Sequence, residues 1–486
     1  MVALTRSAKK RRMEAAQTSD SSLNDLQPPP AMVTGAPHPK SIGAGEEVVV
    51  VVVGGGAVDR ISGLPDAILG EIISLLPIKD AARTQALASR WRHLWRSAPL
   101  SLDGGDLPDE GEIFRAGLIS RILAAHPGPA RRFSVSALQL LLCPSAVDSW
   151  ISSSALDSLH ELEFPIGDLI HLHSAELSLP DSTFRFSATL RLATISKCHI
   201  PEGNVEALSF PQLRELALES VRISEDSLQS IIAGSPVLEC LLLSRCVGFS
   251  RVQINSQSLV SIGVQSFSGE LVIENAPSLE RLLQLQLFRD LRLSIIAAPK
   301  LETLGWLSDR DHHLMLAFGN TAVQDLHSVS ITSVVCSIKI LAVDIRTLSL
   351  DTVFDLMRCF PCLEKLYIEF VLSGDRNSWR HKHPDVIRCL DIRLKTAVLK
   401  NYRGIKSHVS FASFFVLNAK MLESMTFEGA ACHDQKFIAE QHSLLELEKR
   451  VSRTAQFYFT VSRFWDKNLT HIKHVHDLSR TDPFEC

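Results

Sequence analysis

The chain has 486 residues, 45% hydrophobic and 21% charged, with a formal charge of −4, which is too long for one ordinary domain and calls for several domains or one long repeat array. The slight acidity argues against a general nucleic-acid binder, whose domain is usually strongly basic. Ten irregularly spaced cysteines without a secretory leader fit reduced thiols in the cytosol or nucleus, and no apolar run approaches membrane-spanning length.

Residues 1–57 read as a disordered tail that cannot bury enough surface to offset its ordering entropy. Lys9, Lys10, Arg11 and Arg12 form a candidate nuclear-import signal, or else a solvated charge run. Val48 to Val53 followed by Gly54-Gly55-Gly56 imitates a dinucleotide-binding turn. That mechanism needs a third glycine opening a helix inside a βαβ unit, and Asp59-Arg60 follow instead, so a linker is the better reading.

Residues 58–103 predict a helical unit. Ile68, Leu69, Ile72, Ile73 and Leu76 recur at i, i+1, i+4, i+5 and i+8, one helical face. Pro65 and Asp66 suit its first turn, Pro77 stops it, and Asp80 is an expected N-cap for a second helix. Leu87, Trp91, Leu94 and Trp95 then repeat at i, i+4, i+7 and i+8. A unit of about 45 residues is too small to bury so many large side chains alone. Part of this apolar surface therefore needs the next domain or another protein, and tryptophan is enriched at interface hot spots. Arg90 to Arg96 interleaves basic and aromatic residues as nucleic-acid binders do, but helical spacing separates Trp91, Leu94 and Trp95 from the arginines.

Gly104-Gly105-Asp106 marks the expected junction to a repeat region, residues 104–383. Leu213-Arg-Glu-Leu216-Ala-Leu218, Leu238-Glu-Cys-Leu241-Leu-Leu243, Leu279-Glu-Arg-Leu282, Leu301-Glu-Thr-Leu304 and Leu363-Glu-Lys-Leu366-Tyr-Ile368 are copies of one phrase, each two residues after a proline. Weaker copies start at Leu159, Leu190, Leu259, Leu326 and Leu422. From Leu213 to Leu326 the steps are 25, 21, 20, 22 and 25 residues, lengths typical of leucine-rich repeats. Each phrase alternates like a strand with leucine pointing inward, and neighbours must stack to bury that face. The expectation is a curved solenoid with a parallel sheet on its concave side. The longer step from Leu326 to Leu363 implies a cryptic repeat near Leu348 or an insertion. Helix signals between the phrases are weak.

Residues 384–486 read as the continuation and C-terminal cap of the array. Cys359-Phe-Pro-Cys362 lacks a redox context or a second ligand pair and reads as core cysteines. His471, His474 and His476 have no companion cysteines and read as part of a solvated C-terminal segment. No Walker loop, nucleophile elbow or zinc-protease motif is present.

Leu64-Pro65-Asp66, Leu75-Leu76-Pro77, the run Lys79 to Thr84 and Ser89 to Trp95 resemble the F-box of plant proteins, with Ala88 where family members usually carry serine. Leu394-Lys395, Leu399 to Gly404, Phe414 to Ala419, Leu422-Glu423 and the tail His474 to Ser479 with Asp482-Pro483-Phe484 resemble the FBD region that closes many plant F-box proteins with leucine-rich repeats. The resemblance implies an α/β protein: a helical F-box, an irregular leucine-rich-repeat solenoid and an FBD-like C-terminal region. It implies a non-catalytic substrate receptor of an SCF-type ubiquitin ligase, without cofactor, in nucleus or cytoplasm. The F-box would bind a Skp-type adaptor, and through it a cullin. The repeats would bind a protein target. The adaptor-facing residues would be Leu64, Pro65, Ile68, Ile72, Leu75, Leu76, Pro77, Leu87, Trp91, Leu94 and Trp95, some of which would instead hold the F-box together. The alternative is a non-catalytic repeat scaffold whose F-box does not support ubiquitination.

Overall fold

The computed structural model describes residues 61–485 except Ser62, Pro127, 167–176, 203–208, 286–290, 309–314, 319–320, 325–333, 346–356, 371–391, His433, 462–471 and Lys473. The N-terminal tail, with the basic cluster and the glycine run, lies outside these residues, as do Leu326, Leu348 and His471.

Among the described residues, fourteen strands form one sheet, from Leu100–Asp103 at one end to Gln456–Thr460 at the other, with every neighbouring pair parallel. The leucines of the repeated phrase build its inner row. Leu102, Phe133, Leu162, Ala193, Leu216, Leu241, Ile262, Leu282, Leu304, Leu341, Leu366, Ala397, Met425 and Phe457 stand side by side in register. All but Phe457 are buried, in one core that extends from Ile78 to Ala455. Because successive strand residues point to opposite faces, Leu216 and Leu218 enter that core while Ala217 faces the other way.

The long step resolves differently from the sequence expectation. The rung between Leu304 and Leu366 is Leu341, in the strand Ile340–Ile345. Ile338 thus occupies the place of the phrase's first leucine, and the lengthened repeat is the one after Leu301.

Strand ends share a turn. Lys197, Ser220, Arg245, Ser266 and Asn401 each follow a strand of this sheet directly, and each has φ between 52° and 59°. In these five repeats the chain leaves the sheet through the same left-handed turn. Cys246 follows one such turn, and its thiol donates to the Leu218 carbonyl at 3.2 Å.

On the core's other side, the second layer is not uniformly helical. One helix, Glu225–Ala233, begins with Ser224 accepting a hydrogen bond from the Ser227 amide. The next turns carry strands instead: Arg251–Asn255, Gly269–Asn275 and Leu291–Ile295 pair in parallel. With the hairpin Met315–Phe318 and Thr321–Gln324 they complete a five-stranded second sheet. Val252, Ile254, Leu271, Ile273, Leu291, Leu293 and Ile295 enter the shared core. Repeats of 20 to 22 residues leave too few residues for a helix and two turns, and an extended segment needs fewer.

The C-terminal region continues the sheet through Thr396–Lys400, Ser424–Glu428 and Gln456–Thr460, backed by helices Lys406–Asn418 and Gln435–Leu444. The tail corrects the sequence reading. His474 and His476 are exposed, as expected, but the segment is not solvated throughout: Asp477 is buried, and Val475, Leu478 and Phe484 are buried against the sheet's open face.

Candidate functional site

Three helices precede the sheet: α1 (Asp66–Ser74), α2 (Ile78–Arg83) and α3 (Ser89–Ser97). Pro65 stands at the N-cap of α1 with Asp66 in its first turn. Arg90 of α3 ties that turn down, donating from Nε to Asp66 Oδ1 at 2.8 Å and from Nη2 to the Leu64 carbonyl at 2.8 Å. Both side chains are largely exposed, so the pair contributes little stability. Asp80 is not an N-cap: α2 starts after Pro77, and Asp80 lies inside it, paired with Arg83.

Leu69, Ile73, Ala81, Trp91, Leu94 and Ala98 form a small core between the helices, with Leu64, Leu76 and Trp95 packed at its edge. Trp91 is 7% and Leu94 4% exposed. These two sequence-designated contact residues therefore fill the interior of the unit and present no surface. Trp95 is half-buried, edge-on to His126 with ring centroids 4.8 Å apart, and its carbonyl lies 3.1 Å from His126 Nε2. It serves the junction with the repeats.

What remains outside is a stripe. Pro65, Ile68, Ile72 and Leu75 recur at i, i+3, i+7 and i+10 along α1 and its C-cap, all exposed. Ile68 is 48%, Ile72 40% and Leu75 78% exposed. Pro77 and Leu87, in the turns that follow, are exposed too, Leu87 at 67%. Ile61, which the sequence reading passed over, is 57% exposed just before α1; its only signal was an apolar residue one turn ahead of Leu64-Pro65-Asp66. A helix whose inner face already has a core has no folding reason to carry a second apolar face. Contiguous exposed apolar patches occur at interaction surfaces and ligand-binding grooves.

The helices join the sheet without a linker. The first sheet strand begins at Leu100, four residues before the expected junction at Gly104. Ile78 of α2 belongs to the repeat core, and Arg131 Nη1 meets Glu71 Oε2 at 2.8 Å.

Among the described residues no arrangement of nucleophile and base stands out. Cys359 is buried and Cys362 half-buried. Burial pushes the thiols of Cys198, Cys240 and Cys246 up to about 12, which keeps them protonated and unreactive at neutral pH. Among the described residues no group of three or more His, Cys, Asp or Glu is arranged to hold a metal, and no helix is long and apolar enough to cross a membrane.

Family models match along the chain: an F-box domain at residues 61–102, the LRR repeats of FBD-associated F-box protein At5g56370 at 147–368, and FBD at 383–427. Similar proteins from Arabidopsis thaliana include F-box/FBD/LRR-repeat protein At1g13570, 26% identical over 46% of this chain and 53% of the relative. Putative F-box/LRR-repeat protein At3g58880 is 30% identical over 43% of this chain and 48% of the relative. The chain thus spans about half the length of these two relatives. F-box/FBD/LRR-repeat protein At4g00160 is 26% identical over 82% of this chain and 94% of the relative. A helical F-box unit, a ladder of leucine-rich strands and an FBD region thus follow one another along this chain, as the names of the F-box/FBD/LRR-repeat proteins it is similar to describe.

Proposed function

We propose that this protein is a substrate-recognition subunit of an SCF-type cullin ubiquitin ligase. Its F-box docks a Skp-type adaptor, and its repeats hold a protein target. F-box proteins with leucine-rich repeats serve generally as substrate adaptors in such complexes, and members of the family are typically non-catalytic. The observation that carries the reading is the exposed apolar stripe of Pro65, Ile68, Ile72 and Leu75 on a unit whose own core is already filled. Burying a leucine or isoleucine of that stripe in a partner is worth roughly 1.5–3 kcal/mol. Of the residues first assigned to the adaptor, the exposed Pro65, Ile68, Ile72, Leu75, Pro77 and Leu87 are the contact set, while Trp91 and Leu94 hold the helices together.

The mechanism requires no chemistry from this chain. A receptor that binds ligase and target at once raises the effective concentration of target lysines near the ubiquitin-carrying enzyme. Direct entry of α3 into the sheet suits that task, since a stiff connection keeps the target at a fixed distance from the adaptor. The test is the affinity of the purified chain for a Skp-type adaptor. The double variant Ile68→Glu/Leu75→Glu should bind at least about tenfold more weakly with an unchanged melting temperature. Equal binding by wild type and variant would move the scaffold reading ahead.

A further inference from the structure

The open face of the sheet, which repeat proteins use for recognition, already holds an occupant. Ala217, Leu242, Leu283, Trp306, Ala342 and Val398 line an apolar trough across it, and the chain's own C-terminal segment lies in this trough. Leu478 is 0% and Val475 2% exposed. Phe484, 2% exposed, has its ring centroid 5.6 Å from that of Trp306 and 5.3 Å from that of Tyr367.

The sheet leaves room for this segment at Gly263, where a Cβ would stand 2.8 Å from Leu478 Cδ2, its nearest neighbour. At Gly305 a Cβ would meet Ala342 Cβ of the next strand at 2.6 Å and Phe484 Cζ at 2.9 Å. Polar contacts are specific as well. Arg281 donates from Nε to the Leu478 carbonyl at 3.2 Å and from Nη2 to the Ser479 carbonyl at 3.4 Å. Asp482 Oδ2 accepts from Lys365 Nζ at 2.8 Å and from the Tyr367 hydroxyl at 2.9 Å, while its Oδ1 accepts from the Phe484 amide at 3.1 Å. The carboxylate is thereby satisfied although its side chain is only 7% exposed.

Apolar anchors in a row, a backbone held by an arginine, and an acid fixed two residues before an aromatic ring are how a groove reads a short peptide. We propose that this trough is a peptide-binding site for segments with two apolar residues at i and i+3 followed by an acid two residues before an aromatic ring. The chain's own Val475, Leu478, Asp482 and Phe484 fill it in competition with such segments of other proteins. The competition rests on the recognition role proposed above; the site itself does not.

The test uses the full chain with a protease sequence inserted between Val461 and Ile472, cleaved after folding, and a fluorescent synthetic peptide of residues 472–486. The labelled peptide should exchange into the cleaved protein and not into the uncut one. Unlabelled peptides carrying Asp482→Ala or Phe484→Ala should compete at least tenfold less well than the wild-type peptide. In a Lys365→Glu chain the wild-type peptide should lose at least tenfold, and an Asp482→Lys peptide should recover most of that loss. Equal competition by the Phe484→Ala peptide, uptake by the uncut chain, or no uptake by the cleaved chain would each overturn the site. If Lys365→Glu does not fold, the peptide series on the wild-type chain still decides. Proteins held by the repeats of the cleaved chain should be released by excess free peptide. Their retention while the peptide occupies the trough would keep the site and refute the competition.

Discussion

Ile68 and Leu69 are neighbours in sequence, yet the first faces solvent at 48% exposure and the second is fully buried. Adjacent helix residues lie 100° apart, so an apolar band two residues wide spans more arc than one core can cover. The sequence showed the band but not which edge turned inward, because that depends on where α3 packs. The consequence can be measured. Trp91→Ala should cost roughly 3–5 kcal/mol of F-box stability by leaving a cavity, whereas Leu75→Glu should leave the melting temperature unchanged and weaken adaptor binding. Thermal unfolding alongside adaptor titration separates the two, and the reverse pattern would refute the assignment of faces.

A second residue-scale expectation concerns Glu215 on the open face. Burial raises its pKa above the ordinary glutamate value, partly offset by His476 of the tail, and its Oε2 is buried without a hydrogen-bond partner among the described residues. A carboxyl whose folded pKa is raised is penalised when ionised, and the penalty fades as pH falls through the folded value towards the ordinary one, about 4.3. Glu215→Gln should therefore melt higher than wild type at pH 7–8, and the difference should shrink as pH is lowered towards 4. A difference independent of pH would contradict this account.

At the scale of elements, the inner ladder was legible because its period is covalent: leucine at fixed offsets in each phrase forces a strand with that face inward. Leu216, Leu241, Leu282, Leu304 and Leu366 are all buried rungs. Leu241→Ala should cost roughly 2–5 kcal/mol. The turn position offers a finer test. Ser266 holds φ 52° at a strand end, so Ser266→Val should cost about 1–3 kcal/mol while Ser266→Gly is tolerated, as read by chemical denaturation. The second sheet escaped the sequence reading although Val252 and Ile254, Leu271 and Ile273, and Leu291, Leu293 and Ile295 alternate at the strand period. Alternations of two or three apolar residues are too short for periodicity alone to distinguish a strand from a loop.

Across the whole molecule, the tail was the largest surprise. Val475, Leu478 and Phe484 are too few to announce an element, and their partners are far away: Arg281 and Leu478 are 197 residues apart in sequence. Nothing local could reveal that pairing, whereas the F-box, whose contacts are short-range, could be read directly from its motif. On the proposed function, the α1 stripe connects this chain to a ubiquitin ligase while the repeats act independently. The most direct measurement is quantitative recovery of a cullin with the full chain expressed in plant cells, wild type against Ile68→Glu/Leu75→Glu. Cullin recovery should fall at least about tenfold in the variant, with proteins held by the repeats recovered equally. Undiminished cullin recovery in a folded variant would contradict the account.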